Sequence, residues 1–130
     1  MKHSSGFTFI EFSVVLAILG ILAAIAVPQY SNYRERAYNQ TAIADLKNIA
    51  AAQESFFADN QAYKLLEQCS SVQAGVKCEI SNLPGLTHLS KGVSLTMKVS
   101  PGGFVATTRH YKAAKSCTWD STKGGLIGCS

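Results

Sequence analysis

Gly6-Phe7-Thr8-Phe9-Ile10-Glu11-Phe12-Ser13-Val14-Val15-Leu16-Ala17-Ile18-Leu19-Gly20-Ile21-Leu22-Ala23-Ala24-Ile25-Ala26-Val27-Pro28 is the stretch that decides the architecture. Phe7 to Val27 is a run of 21 residues broken by one formal charge, Glu11. A helix of about 20 apolar residues crosses a bilayer, so the run reads as a membrane helix. An ionised carboxylate in such a helix is costly, about 2.5–3.5 kcal/mol at the bilayer centre on insertion scales. A charge retained at that cost marks a functional residue. Pro28 closes the run. It has no amide donor and can kink or loosen a helix without ending it.

Working outward, helical signals resume after Pro28. Tyr30, Tyr33 and Ala37 recur on one face, and Ile43, Leu46, Ala50 and Phe57 continue an apolar stripe. Arg34, Arg36, Asn39, Gln40, Asp45, Asn48 and Glu54 fill the polar positions. Alanines at 42, 44, 50, 51 and 52 favour helix intrinsically. These signals predict one nearly continuous helix from Phe7 to about Asn60, roughly 80 Å long at about 1.5 Å per residue. Its amphipathic half should pack on a sheet formed by the rest of the chain. Its apolar half has nothing in this chain to cover it.

Residues 63–92 read as a loop with one short element near Val76–Ile80. Strict alternation predicts a strand over Val93–Val99, and Ser100-Pro101-Gly102-Gly103 predicts a turn. Phe104–Tyr111 reads as a second strand, Cys117-Thr118-Trp119 begins a third, and Leu126–Cys129 returns as a fourth after a turn over 120–125. The expectation is an α+β fold: a long N-terminal helix against a small antiparallel meander. The chain divides into a leader over 1–6, a membrane or core helix over 7–28, its amphipathic continuation over 29–62, and a β domain over 63–130.

The β domain is small, and domains of that size often need covalent staples. All four cysteines lie beyond residue 68, at Cys69, Cys78, Cys117 and Cys129. An even count in an exported region suggests disulfides, and their spacing does not resemble paired zinc ligands. Four cysteines allow three pairings. Cys69–Cys78 with Cys117–Cys129 is favoured because each bond closes a short local loop. From Tyr63 onward there are eight Lys/Arg against three Asp/Glu, so the positive excess sits there. Arg109, His110, Lys112 and Lys115 cluster in sequence. Arg109, Lys112 and Lys115 offer weak attraction to DNA or an anionic surface; a solvated face is the plainer reading.

The string Gly6-Phe7-Thr8-Phe9-Ile10-Glu11 resembles the processing and assembly signature of type IV pilins and their relatives. Glu11 falls five positions into the mature chain, where that family places a glutamate, and Pro28 falls where pilins commonly carry a proline. Phe57-Ala58-Asp59-Asn60-Gln61-Ala62-Tyr63 resembles the end of the long helix in some pilins. Phe9 departs from the commoner leucine, and Ser13 interrupts a usually apolar run. The resemblance implies cleavage after Gly6 by a prepilin peptidase and N-methylation of the new Phe7 amine. It implies pairing of Glu11 with a Phe7 amine during assembly, extraction by an inner-membrane platform and its ATPase, and homopolymerisation through the helix. The subunit would sit in the inner membrane with its C-terminus periplasmic, then in an extracellular pilus. Pro28 would be a point of bending.

Within that family the alternatives are a pseudopilin of a type II secretion system and a minor pilin. The C-terminal cysteine pair leans toward a pilin, because major pseudopilins more often use a calcium-binding loop there and Asp120 stands alone. Outside it, a signal peptide ending at Ala24-Ile25-Ala26 would explain the apolar run but not a glutamate early within it. A plain anchor on a binding module would explain the length but not Gly6 and Glu11 in register. No cofactor and no catalysis are expected. His88 and His110 lack nucleophile or ligand partners in sequence, and Gly124-Gly125 sits in a hairpin rather than a phosphate loop.

Overall fold

The computed structural model describes residues 6–69 and 77–130. The leader positions 1–5 and the start of the short element expected at Val76 lie outside the described residues. Two compact units divide the chain, residues 1–34 and 35–130. One helix, α1 (Phe9–Asn60), runs through both.

In the first unit α1 carries the apolar run. It starts two residues later than expected, because Thr8 acts as its cap. The Thr8 hydroxyl accepts from the Glu11 N–H at 3.3 Å, while a Glu11 carboxylate oxygen accepts from the Thr8 N–H at 2.8 Å. This is a reciprocal capping box, which satisfies two of the amide donors that a helix start leaves open. The helix continues through Pro28. Proline leaves the Ala24 carbonyl without its usual i+4 amide, and the Ser31 hydroxyl donates to the Pro28 carbonyl at 2.9 Å.

In the second unit the residues of α1 that face inward are Ala42, Asp45, Leu46, Ile49, Ala50, Ala52 and Gln53. Leu46 and Ala50 match the expected stripe, and Ile43 is partly buried against the core. Asp45 and Gln53 are polar yet buried, and Asp45 was expected on the solvent side. Each earns its place through hydrogen bonds. Asp45 accepts from Ser90, and Gln53 both donates to the Lys64 carbonyl at 2.6 Å and accepts from its N–H at 2.9 Å. Gln53 thereby fixes the chain just after the helix ends at Asn60, where Gln61 turns left-handed at φ 53°.

Six strands follow. β1 (Glu79–Leu83) and β2 (Leu86–His88) form a separate antiparallel hairpin. The segment over 63–92 thus holds a hairpin where a loop with one short element was expected. Its turn is Pro84-Gly85, with Gly85 at φ 74°, the conformation a type II turn demands of its third residue. β3 (Val93–Ser100), β4 (Gly103–His110), β5 (Cys117–Asp120) and β6 (Gly125–Cys129) form a four-stranded sheet in that order. Each neighbour pair is antiparallel, as expected of a meander. Leu95, Met97, Phe104, Ala106 and Cys117 from its inner face join Leu46, Ile49 and Ala50 of α1 in one core. The buried Thr108 hydroxyl reaches across and donates to the Ala42 carbonyl at 2.8 Å.

Candidate functional site

The residues singled out from sequence fall into two groups that are best described apart. The first surrounds the helix start. The same oxygen of Glu11, Oε2, takes both Thr8 bonds: the N–H at 2.8 Å and the hydroxyl at 2.7 Å. Charge-assisted bonds of this length are about twice as strong as neutral ones, so Thr8 holds the carboxylate at the N-terminal end of α1. There the partial positive charge of the helix favours an anion. Gly6 and Phe7 precede the helix outside any regular element, and Phe7 is exposed.

From Ile10 to Val27 the large apolar side chains all stand exposed. This part of α1 is long and apolar enough to cross a membrane, and none of its most apolar window is buried. Small residues at Ala17, Gly20, Ala23, Ala24 and Ala26 lie along it, the residue type that lets helices approach closely.

The second group lies in the α+β unit. Cys69 bonds Cys78 and Cys117 bonds Cys129. Cys117 and Cys129 are cross-strand partners on β5 and β6, so the bond closes the last hairpin. Cys69 also forms an isolated bridge with Leu95 of β3. Asp120 is not isolated, as sequence suggested. It caps a 3-10 turn over Ser121–Lys123, accepting from the Thr122 N–H at 3.0 Å and hydroxyl at 2.6 Å, and it pairs with Lys123 at 3.7 Å. Those bonds hold its carboxyl below the usual range, the Thr122 hydroxyl first among them. Among the described residues, no group of three or more His, Cys, Asp or Glu is placed to hold a metal ion.

His110 leaves the basic cluster, while Arg109, Lys112 and Lys115 stay exposed. Strand alternation sends Arg109 outward and His110 inward. His110 is buried and stacks on Tyr38 of α1, with ring centroids 4.4 Å apart. Its Nδ1 accepts from the Lys112 N–H at 3.2 Å. Burial pushes the imidazole below its ordinary range, and the Lys112 charge adds to this against Lys91 and Asp45. Lys112 sits over the Tyr38 and Tyr111 rings at 5.8 and 5.4 Å, while Arg109 donates to the Ala113 carbonyl at 3.3 Å. Parity along β4 was the overlooked signal: with Phe104 inward, His110 must be inward too. Asp45 was also overlooked. Its carboxylate accepts from Ser90, and burial pushes its carboxyl above the usual range against those bonds.

A helix with an uncovered apolar run and a capped glutamate at its start, continuing into a disulfide-closed α+β unit, defines a pilin-type chain. Residues 1–27 match the family described as the prokaryotic N-terminal methylation motif. The type II secretion system core protein G of Pseudomonas aeruginosa is 38% identical over 102 residues, 78% of this chain and 70% of that protein. The type IV major pilin protein PilA of Myxococcus xanthus is 45% identical over 61 residues, 47% of this chain and 28% of that protein. The type IV wide pilus major component PilA4 of Thermus thermophilus is 34% identical over 83 residues, 64% of this chain and 63% of that protein. The chain belongs to the type IV pilin family, which unites pilins and pseudopilins. These relatives are structural subunits, not enzymes.

Proposed function

We propose that this chain is a filament-forming subunit of a type IV pilus, and that its fibre serves adhesion, motility or DNA uptake. The observation that carries the reading is the uncovered apolar half of α1. Such a surface is satisfied by lipid before assembly and by copies of itself afterwards. Copies related by a screw operation form an open filament, the result of a heterologous interface that does not close.

In this reading prepilin peptidase cuts between Gly6 and Phe7, and the Phe7 amine is methylated. The subunit waits in the inner membrane, C-terminus periplasmic, until an assembly platform and its ATPase extract it. Glu11 then pairs with a Phe7 amine, its own or a neighbour's. Oε2 can keep its Thr8 bonds while Oε1 receives the ammonium. Either charge left alone in an apolar core is costly by several kcal/mol, so the pair selects the docked position from contacts that are otherwise non-directional. Pro28 supplies a point where the helix can bend or stretch. Arg109, Lys112 and Lys115 lend the assembled surface weak attraction for DNA or other anions.

Pilus over pseudopilus is favoured by the C-terminal hairpin. Cys117–Cys129 closes it covalently, and Asp120 is engaged as a turn cap. The pseudopilin reading draws on the matches to four core proteins G, one of them over 102 residues. Terminal sequencing and imaging of a sheared surface fraction test both. Fibres composed of a chain that starts at methylated Phe7 are expected. A chain starting at Val27, or an intact Met1, would overturn the family-type processing. Correct processing with loss of protein secretion, and no fibres, would move the assignment to the pseudopilin.

A further inference from the structure

The turn of α1 just past the apolar run carries two exposed tyrosines and a cation stacked on one of them. Tyr30 and Tyr33 are 63% and 72% exposed, and the Arg34 guanidinium lies over the Tyr30 ring, 5.7 Å from its centroid. Side chains of a helix lean toward its N-terminus. Arg34 therefore reaches back one turn, toward the apolar run, instead of out along the axis. Tyr30 stands about 4.5 Å beyond Val27 and Arg34 about 10 Å beyond it, at about 1.5 Å per residue. The polar layer of a bilayer is roughly 5–7 Å deep on each side, so a back-leaning Arg34 brings its charge to phosphate depth. Exposed tyrosines favour that same layer. A cation at this end also runs against the tendency that keeps Lys and Arg on the cytoplasmic side.

We propose that Tyr30, Tyr33 and Arg34 form a clamp for an anionic phospholipid headgroup in the exported leaflet, holding the subunit before it is extracted. The guanidinium pairs with the lipid phosphate in a fork that matches its donors, the Tyr30 ring supports its flat face, and the tyrosine rings sit against the upper acyl chain. The proposal rests on the reading that Phe9–Val27 lies in a bilayer.

The test uses the full chain reconstituted in vesicles of equal phosphatidylcholine and phosphatidylglycerol, gently solubilised and weighed with its lipid adducts by native mass spectrometry. Phosphatidylglycerol should exceed phosphatidylcholine among the adducts by about five-fold, the effect of one cation near an anionic surface. Arg34→Gln should bring the two to near parity, Arg34→Lys should keep most of the preference, and Tyr30→Leu should lower it. Parity in the unaltered chain, or an unchanged preference in Arg34→Gln, would overturn the clamp. So would displacement of the lipid by inorganic phosphate, which would leave a plain phosphate site. A chain not recovered with vesicles of either lipid would overturn the membrane reading itself, a result distinct from the others.

Discussion

Asp45 on α1 and Ser90 just before β3 are joined by two hydrogen bonds, the Ser90 N–H and hydroxyl each donating to the carboxylate at 2.9 Å. The pair bridges 45 residues of sequence and is largely shielded from water, with Asp45 only 4% exposed. Asp45→Ala leaves a half-buried amide and hydroxyl of Ser90 without their acceptor, an expected loss of about 1–3 kcal/mol. Ser90→Ala should lose about 1–2 kcal/mol. Urea unfolding of a fragment starting at Tyr33 would measure both, and the double variant should be less than additive. Additive losses would mean that the two residues stabilise the fold independently.

His110 predicts a pH dependence. Its Nδ1 accepts an N–H, so a protonated ring would lose that bond. The folded value lies below the unfolded one, about 6.5. Stability from this group is therefore full above about pH 6.5 and is lost as pH falls below it. Asp45 acts with the opposite sign: its raised carboxyl is relieved by acid. His110→Phe keeps a ring against Tyr38 but cannot titrate. Melting temperatures followed from about pH 7.5 to 5.5 should fall more steeply in the unaltered fragment than in His110→Phe. Equal slopes would sink the assignment.

The Cys117–Cys129 bond spans a sequence separation of 12. Chain-entropy arithmetic gives a loop of that size about 3 kcal/mol. Replacing both cysteines with serine should lower the urea midpoint accordingly. Intact mass without reductant should show the native fragment with all four thiols oxidised.

Gly6→Ser should block leader removal, and normally processed protein in that variant would refute the peptidase assignment. Glu11→Val should leave insertion and processing intact while fibres disappear from the sheared fraction. Abundant fibres of ordinary length would refute the pairing role of Glu11.

The long helix and the four-stranded meander were legible in the sequence because each rests on local periodicity. The alternation over Val93–Val99 and the Pro101-Gly102 turn specify a hairpin without help from elsewhere. Pro84-Gly85 carries the same turn chemistry but was hidden, since β2 has only three residues and too short an alternation to register. Asp45 and Gln53 were illegible for another reason. Their polarity argues for solvent, and only partners at Ser90 and Lys64 reverse it. The hydrophobic pattern of α1 past Pro28 therefore understated which face is buried. The apolar run and Glu11 were plain, but the Thr8 cap depends on side-chain geometry at a helix start whose position sequence misplaced by two residues.

The outer face of the four-stranded sheet has a consequence for how the molecule can change. Thr96, Thr107 and Thr118 stand in register across three strands, with the Thr107 and Thr118 hydroxyls 3.2 Å apart, and Lys98 and Arg109 are exposed beside them. None of these side chains belongs to the apolar core. Substitutions at exposed positions away from such packing usually shift stability by less than about 0.5 kcal/mol. Thr96 and Lys98 can therefore be rewritten, by selection or by an engineer grafting an epitope, while the core beneath continues to specify the same fold.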